Sequence, residues 1–371
     1  MYHIAKRLAK HNRIYLLAYP GHPLASGVRR SLEAIEITFK HSIRTNNLGV
    51  YYAANFLQMY EEIRRVLRRE GIDVVVHANI LPSLAASYLA RKSGIPNVYD
   101  FLDYFPESAS AYYTRGKGFV ELGVRELTYV VLRNSDTVVT PSLGLKNVVK
   151  SMVPGKPIYV IPNGVDAELF KPLDRDLARK SIGLDNDYHL LLLQGSLDVW
   201  IDTVEIMRVL SRLRKMMDVR VMVVGFSHAK RYYRLLLAYA KHYGIDKFMY
   251  TYPPQPHERM PLFINSSDIV LSPVKKMIMN FATPLKIAEA LACGVPVVTT
   301  NIAEFKVWYK QGVHTYSTYI ELENTIKYLL SNLDEVKASL CEYSHSFREA
   351  FSWDRLAEKY KNILETVVQN F

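Results

Sequence analysis

The side chains with the clearest chemistry stand in one short stretch that reads Thr-Pro-Leu-Lys-Ile-Ala-Glu. Thr283 can cap the N-terminus of a helix whose first residue is Pro284, and Gly294 can end that helix in a left-handed conformation. Lys286 and Glu289 are three residues apart, so they share one helix face near the N-terminal end. That end of a helix attracts phosphate, and a lysine there adds a full positive charge.

A carboxylate one turn deeper provides a second contact. Glu289 can accept hydrogen bonds from two vicinal hydroxyls, such as those of a ribose. Phosphate followed by a pentose describes a nucleotide, so we predict a nucleotide site formed by Thr283, Pro284, Leu285, Lys286 and Glu289. The alternative is a helix that packs on a parallel sheet and carries two solvated charges. The helix alone does not decide between them.

The rest of the second half supplies the elements that must position this helix. Short apolar runs alternate with helical segments there and predict buried strands at 190–193, 220–224, 248–250, 268–271 and 295–299. This alternation is typical of an α/β fold with a parallel sheet. Gly195 and Ser196 make a tight turn after the first strand, where a pyrophosphate could approach the backbone. Tyr252 follows the third strand.

The first half places polar residues at the ends of two predicted strands. The strand at 73–77 ends at His77, and the strand at 97–101 runs into Asp100 and Asp103. Ligands of open α/β sheets bind at the carboxyl ends of strands, so these side chains are candidates for substrate contact. We predict Asp103 as the substrate-facing carboxylate, whereas Asp100 can instead bind local backbone N–H groups. For His77, a packed strand residue is the safer interpretation.

Length and composition limit the remaining possibilities. At 371 residues the chain is long enough for two domains. Cys293 and Cys341 give neither a disulfide framework nor a metal-ligand spacing, which suits the reducing cytoplasm. No apolar run reaches the ~20 residues that span a bilayer, and no nucleic-acid-binding motif is recognisable. We therefore expect a cytoplasmic protein that takes no metal and no nucleic acid.

The net charge of +11 is uneven, since residues 1–160 hold 21 Lys/Arg against 12 Asp/Glu. A basic half attracts anionic substrates or an anionic membrane. Peripheral contact with the inner face of a membrane is one interpretation, and a basic surface that merely keeps the chain soluble is the other. The arginine pairs at 64–65 and 68–69 form a stripe on a predicted helix, for which a solvated, salt-bridged face is the favoured interpretation.

Three segments, in chain order, resemble one family. Pro284-Leu-Lys-x-x-Glu-Ala-x-Ala-x-Gly-x-Pro-Val is similar to the nucleotide-sugar helix of the retaining glycosyltransferases of family 4 (glycosyltransferase group 1), which have the GT-B fold. Ile161-Pro-Asn-Gly-Val-Asp-Ala-Glu-Leu-Phe-Lys-Pro172 is similar to their interdomain segment. Gly195-Ser-Leu-Asp-Val-Trp-Ile-Asp202 is similar to the opening of the second domain in one subgroup.

The resemblance implies two Rossmann-like, doubly wound α/β domains that face each other across a cleft. The acceptor-side domain would comprise residues 1–163 and the C-terminal helix 353–371. The nucleotide-sugar domain would comprise residues 164–352.

The resemblance also implies transfer of a sugar from a nucleoside diphosphate donor, of UDP or GDP type, to an acceptor hydroxyl on a glycan or lipid-linked acceptor. It favours retention of configuration, without a metal or a further cofactor. Lys286 and the N–H groups of Gly195 and Ser196 would stabilise the departing diphosphate. Asp103 and His77 would lie on the acceptor side, and Tyr252 would contact the base.

The chain departs from the family pattern in three places. Phe281 stands where the family has a second glutamate, and the Arg and Lys that usually grip the diphosphate are absent. The family's first strand and glycine-rich turn would precede the helix predicted over residues 1–12. Either the start is assigned too late, or this copy lacks that strand. A non-catalytic GT-B scaffold or binding partner therefore stays open as the alternative function.

Overall fold

A computed structural model describes residues 2–18, 35–38, 43, 48–110, 116–185, 187–197, 200–225, 230–275, 281 and 283–371. The chain divides into two compact units. Unit 1 is Met1–Pro162 with Trp353–Phe371, and unit 2 is Asn163–Ser352. No helix within these described ranges is long and apolar enough to cross a membrane.

Helices and strands alternate along unit 1. In chain order they are α1 (Tyr2–Leu8), β1 (Tyr15–Ala18), β2 (Ile35–Thr38), α2 (Leu48–Ala54), α3 (Phe56–Arg69), β3 (Val75–Ala78), α4 (Leu81–Lys92), β4 (Asn97–Asp100), α5 (Phe105–Ser110), α6 (Lys117–Asn134), β5 (Thr137–Thr140), α7 (Leu143–Met152) and β6 (Ile158–Val160). The first helix is shorter than the one predicted over residues 1–12, because the chain turns from residue 9 onward.

Within the described residues, the strands of unit 1 form two parallel sheets, β1-β2 and β3-β4-β5-β6. Alternate residues of β3 face opposite layers. Val75 packs on the apolar cluster of α3 and α4, as does Leu17 of β1. Val76 packs on the opposite cluster, which contains Ile4 of α1. The strands β1 and β3 therefore cover the same helix layer, although no ladder joins them among these residues.

Unit 2 repeats the alternation. Its elements are α8 (Arg175–Ser181), β7 (His189–Gln194), α9 (Thr203–Arg214), β8 (Val219–Val224), α10 (Lys230–His242), β9 (Met249–Tyr252), α11 (Met260–Asn265), β10 (Ile269–Ser272), α12 (Leu285–Ala292), β11 (Val297–Thr300), α13 (Ala303–Trp308), β12 (Val313–Tyr316), α14 (Tyr319–Ser331) and α15 (Leu333–Phe351). The last helix, α16 (Trp353–Gln369), belongs to unit 1 and packs beside α1.

The strands of unit 2 form one parallel sheet in the order β12-β11-β10-β7-β8-β9. The chain moves outward from β7 to β9 and then, on the other side of β7, outward from β10 to β12. This reversal makes the gap between β7 and β10 a topological switch point, where open α/β sheets bind ligands at the carboxyl ends of their strands. The central strands are buried on both faces, which explains the unbroken leucine run that begins at Leu190.

A buried carboxylate secures the opposite, amino-terminal end of β10. Asp268 accepts hydrogen bonds from Arg179 at 2.9 Å, Arg175 at 2.8 Å, Lys337 at 3.0 Å and the Leu190 N–H at 2.8 Å. Burial alone would raise the pKa of Asp268, but the charges of Lys337, Arg175 and Arg179 lower it to about 2. This carboxylate therefore joins α8 and α15 to the two strands at the switch point.

We expect Asp268→Asn to lower the free energy of unfolding by about 3–5 kcal/mol, because Arg179 is fully buried and would lose its counter-ion. Acidification should remove part of the same stabilisation. The pKa of Asp268 is lower in the folded chain than the unfolded value of about 3.9. Its contribution is therefore complete above the unfolded value and is lost as the pH falls through about 2. Denaturant unfolding across pH measures both effects.

Asp176→Asn is the matched control, since Asp176 also pairs with Arg175 but is 63% exposed. Its expected cost is below about 1 kcal/mol. Equal losses from the two substitutions would show that the Asp268 network does not stabilise unit 2.

Candidate functional site

The helix that carries Lys286 and Glu289 is α12, and it starts one residue later than predicted. Pro284 is its N-cap, in an extended conformation, and no side chain caps the helix. The prediction that Thr283 caps it is therefore wrong. The amide of Asn163 donates instead to the Thr283 carbonyl oxygen at 2.6 Å and to its Oγ1 at 3.2 Å. Thr283 thus anchors the start of α12 from a buried position.

Lys286 reaches from the first turn of α12 to the carboxyl end of β7. Its Nζ donates a hydrogen bond to the Gln194 carbonyl oxygen at 3.1 Å. Burial lowers the pKa of Lys286 to about 8, an effect that the charge of Glu289 opposes. Gly195 has φ +97°, and a Cβ there would lie 3.7 Å from the Lys286 Nζ. The glycine therefore leaves space beside the ammonium group.

The turn after β7 lies very close to the turn after β8. The Gly195 N–H donates to the Val224 carbonyl at 2.9 Å, so it is not available to a diphosphate, which corrects the role predicted for it. Gly225 has φ +111°, and a Cβ there would lie 2.6 Å from the Gly195 carbonyl oxygen. Only glycine fits at position 225. Ser196 keeps a buried Oγ without a partner in the described part of the chain.

Glu289 lies one turn after Lys286 and is paired with a histidine. His257 Nε2 and Glu289 Oε1 are 3.0 Å apart. This hydrogen bond raises the pKa of His257, against the opposing effect of burial. The Phe170 ring lies 5.0 Å from the imidazole ring. Glu289 remains 13% exposed, so its carboxylate is oriented by His257 and is still accessible.

Two buried polar side chains meet at the switch point. Gln194 ends β7 and Ser272 ends β10, and the pairing of Leu193 with Leu271 places them side by side. Neither the Gln194 amide atoms nor the Ser272 Oγ has a hydrogen-bond partner among the residues that the structure describes. Buried polar atoms in proteins are nearly always paired. Unpaired polar atoms at a ligand-binding edge therefore mark Gln194 and Ser272 as candidate ligand contacts.

The start of the second-domain motif is fixed to the chain that follows β10. The Lys275 N–H donates to the Trp200 carbonyl at 2.7 Å, and the Asp202 N–H donates to the Pro273 carbonyl at 3.1 Å. This short antiparallel contact pairs Ile201 with Val274 and so holds residues 200–202 beside the chain that follows β10.

Tyr252 is the last residue of β9, and both its ring and its hydroxyl group make contacts. Its ring lies edge-on to Phe263 at 5.0 Å, and its hydroxyl donates to the Ile182 carbonyl at 3.2 Å. Contact with a nucleotide base stays a prediction for Tyr252. Leu285, in contrast, is exposed at the first position of α12.

In unit 1, His77 is buried within the sheet. Its Nε2 lies 3.0 Å from the Asn97 Oδ1, and its ring stacks on Tyr99 at 5.3 Å. Burial lowers the pKa of His77 to about 4, so the imidazole is neutral. This placement corresponds to the packed strand residue that the sequence favoured.

The carboxylates after β4 differ in their surroundings. Asp100 is buried, and burial raises its pKa to about 6. Burial also raises the pKa of Asp103, although hydrogen bonds from Ser108 and the Tyr104 backbone oppose this effect. On the neighbouring strand end, Asn79 has φ +66°, a backbone conformation that is uncommon outside glycine and concentrates at functional sites.

Two family models match the chain. The model described as Glycosyltransferase Family 4 matches residues 1–169, and the model described as Glycosyl transferases group 1 matches residues 189–332. The chain belongs to the group 1 glycosyltransferases. Over 222 residues it is 26% identical to D-inositol 3-phosphate glycosyltransferase 1 of Catenulispora acidiphila, covering 56% of this chain and 52% of that protein. It therefore spans about half the length of the curated relative that it matches.

Solved structures show the fold of this group 1 glycosyltransferase. Sucrose-phosphate synthase from Thermosynechococcus elongatus superposes with a TM-score of 0.83 at 14% identity, covering 99% of this chain and 92% of that chain. HepE from Anabaena in complex with UDP-glucose superposes with a TM-score of 0.76 at 15% identity, covering 98% and 94%. The fold is GT-B, which confirms the fold class predicted from the sequence.

Sequence reasoning missed Gln194, Ser272 and His257 in this glycosyltransferase. The sequence did indicate Gln194 and Ser272, because each is a polar residue at the end of an otherwise apolar strand. That the two residues lie at one ligand-binding edge becomes clear only once β7 and β10 are known to be neighbouring strands. For His257 the sequence carried no signal, because its partner Glu289 is 32 residues away.

We expect Gln194→Met to leave the free energy of unfolding unchanged or to raise it by about 1 kcal/mol, because the buried amide has no partner to lose. The same substitution should weaken nucleotide-sugar binding by roughly fivefold, since one hydrogen bond to a ligand is worth about 1 kcal/mol. Thermal unfolding and calorimetric titration measure the two quantities.

Asn265→Leu is the matched control. Its buried amide bonds to the Leu173 N–H and to the carbonyls of Lys171 and Pro261, so removing it should cost roughly 2–3 kcal/mol. If Gln194→Met destabilised the chain as much as Asn265→Leu, the Gln194 amide would have a structural partner and no ligand role.

Proposed function

We propose that this chain transfers a sugar from a nucleoside diphosphate donor to an acceptor hydroxyl. One observation carries the proposal: at the switch point of unit 2, Lys286 lies against the end of β7, and Glu289 lies one turn deeper on the same helix. A cation followed by an accessible carboxylate fits a diphosphate followed by a ribose.

The difficult step is breaking the bond between the sugar C1 and the diphosphate oxygen. The negative charge that develops on the departing diphosphate must be stabilised. The Lys286 ammonium, the N–H groups at the start of α12 and the Ser196 hydroxyl can supply this stabilisation. With these groups in place the site needs no metal, which is part of the proposal.

Glu289 would hold the ribose. His257 binds one of its oxygens, which fixes the carboxylate while leaving it accessible to two hydroxyls. His257 is therefore a positioning residue in this proposal, and its hydrogen bond with Glu289 raises its pKa.

The donor is proposed to be of UDP type first, because the GT-B neighbour HepE binds UDP-glucose. Transfer with retention is proposed from the family resemblance, with the acceptor proton passing to the departing diphosphate. The acceptor hydroxyl would belong to a glycan or a lipid-linked sugar. Asp103 could orient that hydroxyl, and His77, neutral and bonded to Asn97, would support the strand end beside it.

A thermal-shift panel with UDP, GDP, ADP and their sugars tests the proposal first. Ligand at a hundredfold excess over its Kd adds about 2.7 kcal/mol, a shift of a few degrees. Stabilisation by one nucleotide together with release of that nucleotide from its sugar supports a transferase. Binding without turnover on any donor would favour the non-catalytic scaffold that Phe281 and the missing cations leave open.

We expect UDP affinity to fall as the pH rises through about 8, because Lys286 loses its proton there. The sign follows from the pKa shift: the folded-state pKa is below the usual value, so the cation that attracts the diphosphate is lost earlier than in an ordinary lysine. Lys286→Met should bind weakly at every pH, with kcat/KM reduced by roughly 100- to 1000-fold. Calorimetric titration across pH measures the affinity.

Lys306→Met, an exposed lysine on α13, is the control and should retain the wild-type pH profile. A wild-type affinity that is independent of pH in this range, or an unchanged profile in Lys286→Met, would exclude Lys286 as the diphosphate cation.

We expect Glu289→Gln to abolish discrimination between UDP and 2′-deoxy-UDP. A hydrogen bond to a charged group is worth about 1.5–3 kcal/mol, so the wild type should prefer the ribonucleotide by roughly ten- to a hundredfold. The ratio of the two dissociation constants is the measurement, and it is insensitive to small changes in overall stability.

Glu258→Gln provides the control, because Glu258 is exposed and lies next to His257 in the chain. It should keep the wild-type preference. If Glu289→Gln also kept it, the ribose would be bound elsewhere, whatever the donor turns out to be.

A further inference from the structure

The sheet of unit 2 has two edge strands among the described residues, β9 and β12, and they differ in how they are protected. Natural edge strands avoid pairing with another chain by carrying charges or prolines. Asp246 and Lys247 precede β9, and Pro253 and Pro254 follow it. The segment 311–318, which contains β12, holds no Asp, Glu, Lys, Arg or Pro. Of the two edges, β12 is therefore the one that can accept a further strand.

Two residues of β12 point their backbone hydrogen-bonding groups away from the sheet. The carbonyls of Gly312 and Tyr316 accept hydrogen bonds from the β11 side, both at 2.8 Å. Alternate residues of a parallel strand face the same neighbour, so His314 also faces β11. The N–H and C=O groups of Val313 and Thr315 consequently face outward. No strand in the described part of the chain pairs with them.

The outward edge ends where α14 begins. The next outward N–H, that of Ser317, donates to the Glu321 carboxylate at 2.7 Å. A groove of about 470 Å³ lies beside the edge, between β12 and a side of α14 that includes Tyr328. Tyr328 is 59% exposed, and Ile320, two turns earlier on the same side of α14, is 68% exposed. Apolar side chains in water therefore lie next to the unpaired backbone groups, as at an interaction site.

We propose that β12 pairs antiparallel with β12 of a second copy of this chain, about a two-fold axis at His314. The axis places Val313 of one copy opposite Thr315 of the other, and the reverse. Each outward N–H then meets an outward C=O, as in the hydrogen-bonded pairs of an antiparallel ladder. Two-fold symmetry makes such an interface self-complementary, because both copies contribute the same residues.

The charges beside β12 favour a second copy as the occupant. Lys310 precedes the strand and Glu321 follows it, and both are exposed. An antiparallel copy brings the start of one strand to the end of the other, so the lysine and the glutamate of opposite copies approach each other. Burial lowers the pKa of His314, so the imidazoles that meet at the axis are neutral at pH 7. An unrelated peptide would form the same hydrogen bonds without this match of charges.

Light scattering of the full chain over a range of concentrations is the first test, and we expect a dimer that dissociates on dilution. Thr315→Pro removes one outward N–H from each copy, and hence two hydrogen bonds across the axis. The dissociation constant of the dimer should rise by at least roughly 30-fold. Proline is compatible with the fold there, because an edge strand tolerates it where the N–H faces away from the sheet.

Thr251→Pro is the matched control, because it makes the same change at the other edge of the same sheet. The Tyr252 carbonyl accepts from the Gly225 N–H, so by the same alternation the Thr251 N–H faces outward from β9. This variant should dimerise like the wild type. Thermal unfolding confirms that both proline variants are folded, and if Thr315→Pro is not, cross-linking decides alone.

Cysteine cross-linking tests the register of the pair. In a Cys341→Ser background, which lacks the exposed native thiol, His314→Cys should form an intermolecular disulfide on oxidation. Residues opposite each other in a non-hydrogen-bonded antiparallel pair have Cα atoms about 4.5 Å apart, within the reach of a disulfide. Val313→Cys is the control, since it lies opposite Thr315 and its own counterpart is out of reach.

Three results would overturn the proposal. The first is a monomer at every concentration, and the second is an equal effect of Thr315→Pro and Thr251→Pro on association. The third is cross-linking of Val313→Cys as readily as His314→Cys. The pairing uses no residue of the donor site, so each of these results would leave the proposed sugar transfer untouched.

Discussion

The candidate site of unit 2 depends on the unfavourable burial of one charged group, the Lys286 ammonium. An ammonium group that leaves water loses much of its hydration, and the lowered pKa of Lys286 expresses that loss. The hydrogen bond to the Gln194 carbonyl and the charge of Glu289 offset only part of it. A bound anion would offset the rest, as the diphosphate proposed for this site would do. The turns beside this lysine need glycine, because Gly195 has φ +97° and a Cβ at Gly225 would lie 2.6 Å from the Gly195 carbonyl oxygen.

The two ends of β10 show how unit 2 holds this arrangement. At the amino end, Asp268 is fully buried and has a partner for each oxygen, so the strand is fixed between α8 and α15. At the carboxyl end, the Ser272 Oγ is equally buried and has no hydrogen-bond partner among the residues described, and the side-chain amide of Gln194 is in the same state. Saturated polar groups stabilise a fold, whereas unpaired ones cost stability and are retained where a ligand completes them. Ion pairs therefore fix the amino end of β10, whereas the polar side chains at its carboxyl end are left for a ligand.

The sequence predicted the features that depend on residues close to one another in the chain. Lys286 and Glu289 share a helix face because of their spacing, and Gly294 ends that helix in the left-handed conformation expected of it. Five strands of unit 2 were predicted because buried parallel strands are continuous apolar runs. The edge strand β12 (Val313–Tyr316) was not predicted, because three of its four residues are only half-buried and it lacks such a run. The predictions that failed concern residues whose hydrogen-bond partners are far away in the sequence. Thr283 has the ideal chemistry of a helix cap, yet Asn163, 120 residues away, binds its oxygens instead. The pairing of Glu289 with His257, and the meeting of Gln194 with Ser272, arise only once the sheet order is known.

The structure shows where the charged side chains of the two units lie, which the composition could not. Composition alone associated the basic first half with an anionic substrate or a membrane without separating the two. In unit 2, the charge proposed to face a diphosphate is one partly buried lysine, which contributes little to the net charge. In unit 1, the helices α3, α4 and α6 carry eight exposed arginines and lysines against two exposed glutamates. Donor chemistry would need few, buried charges, whereas attraction to a surface needs many exposed ones, because water screens each of them. The exposed charges of these helices therefore carry no information about the donor.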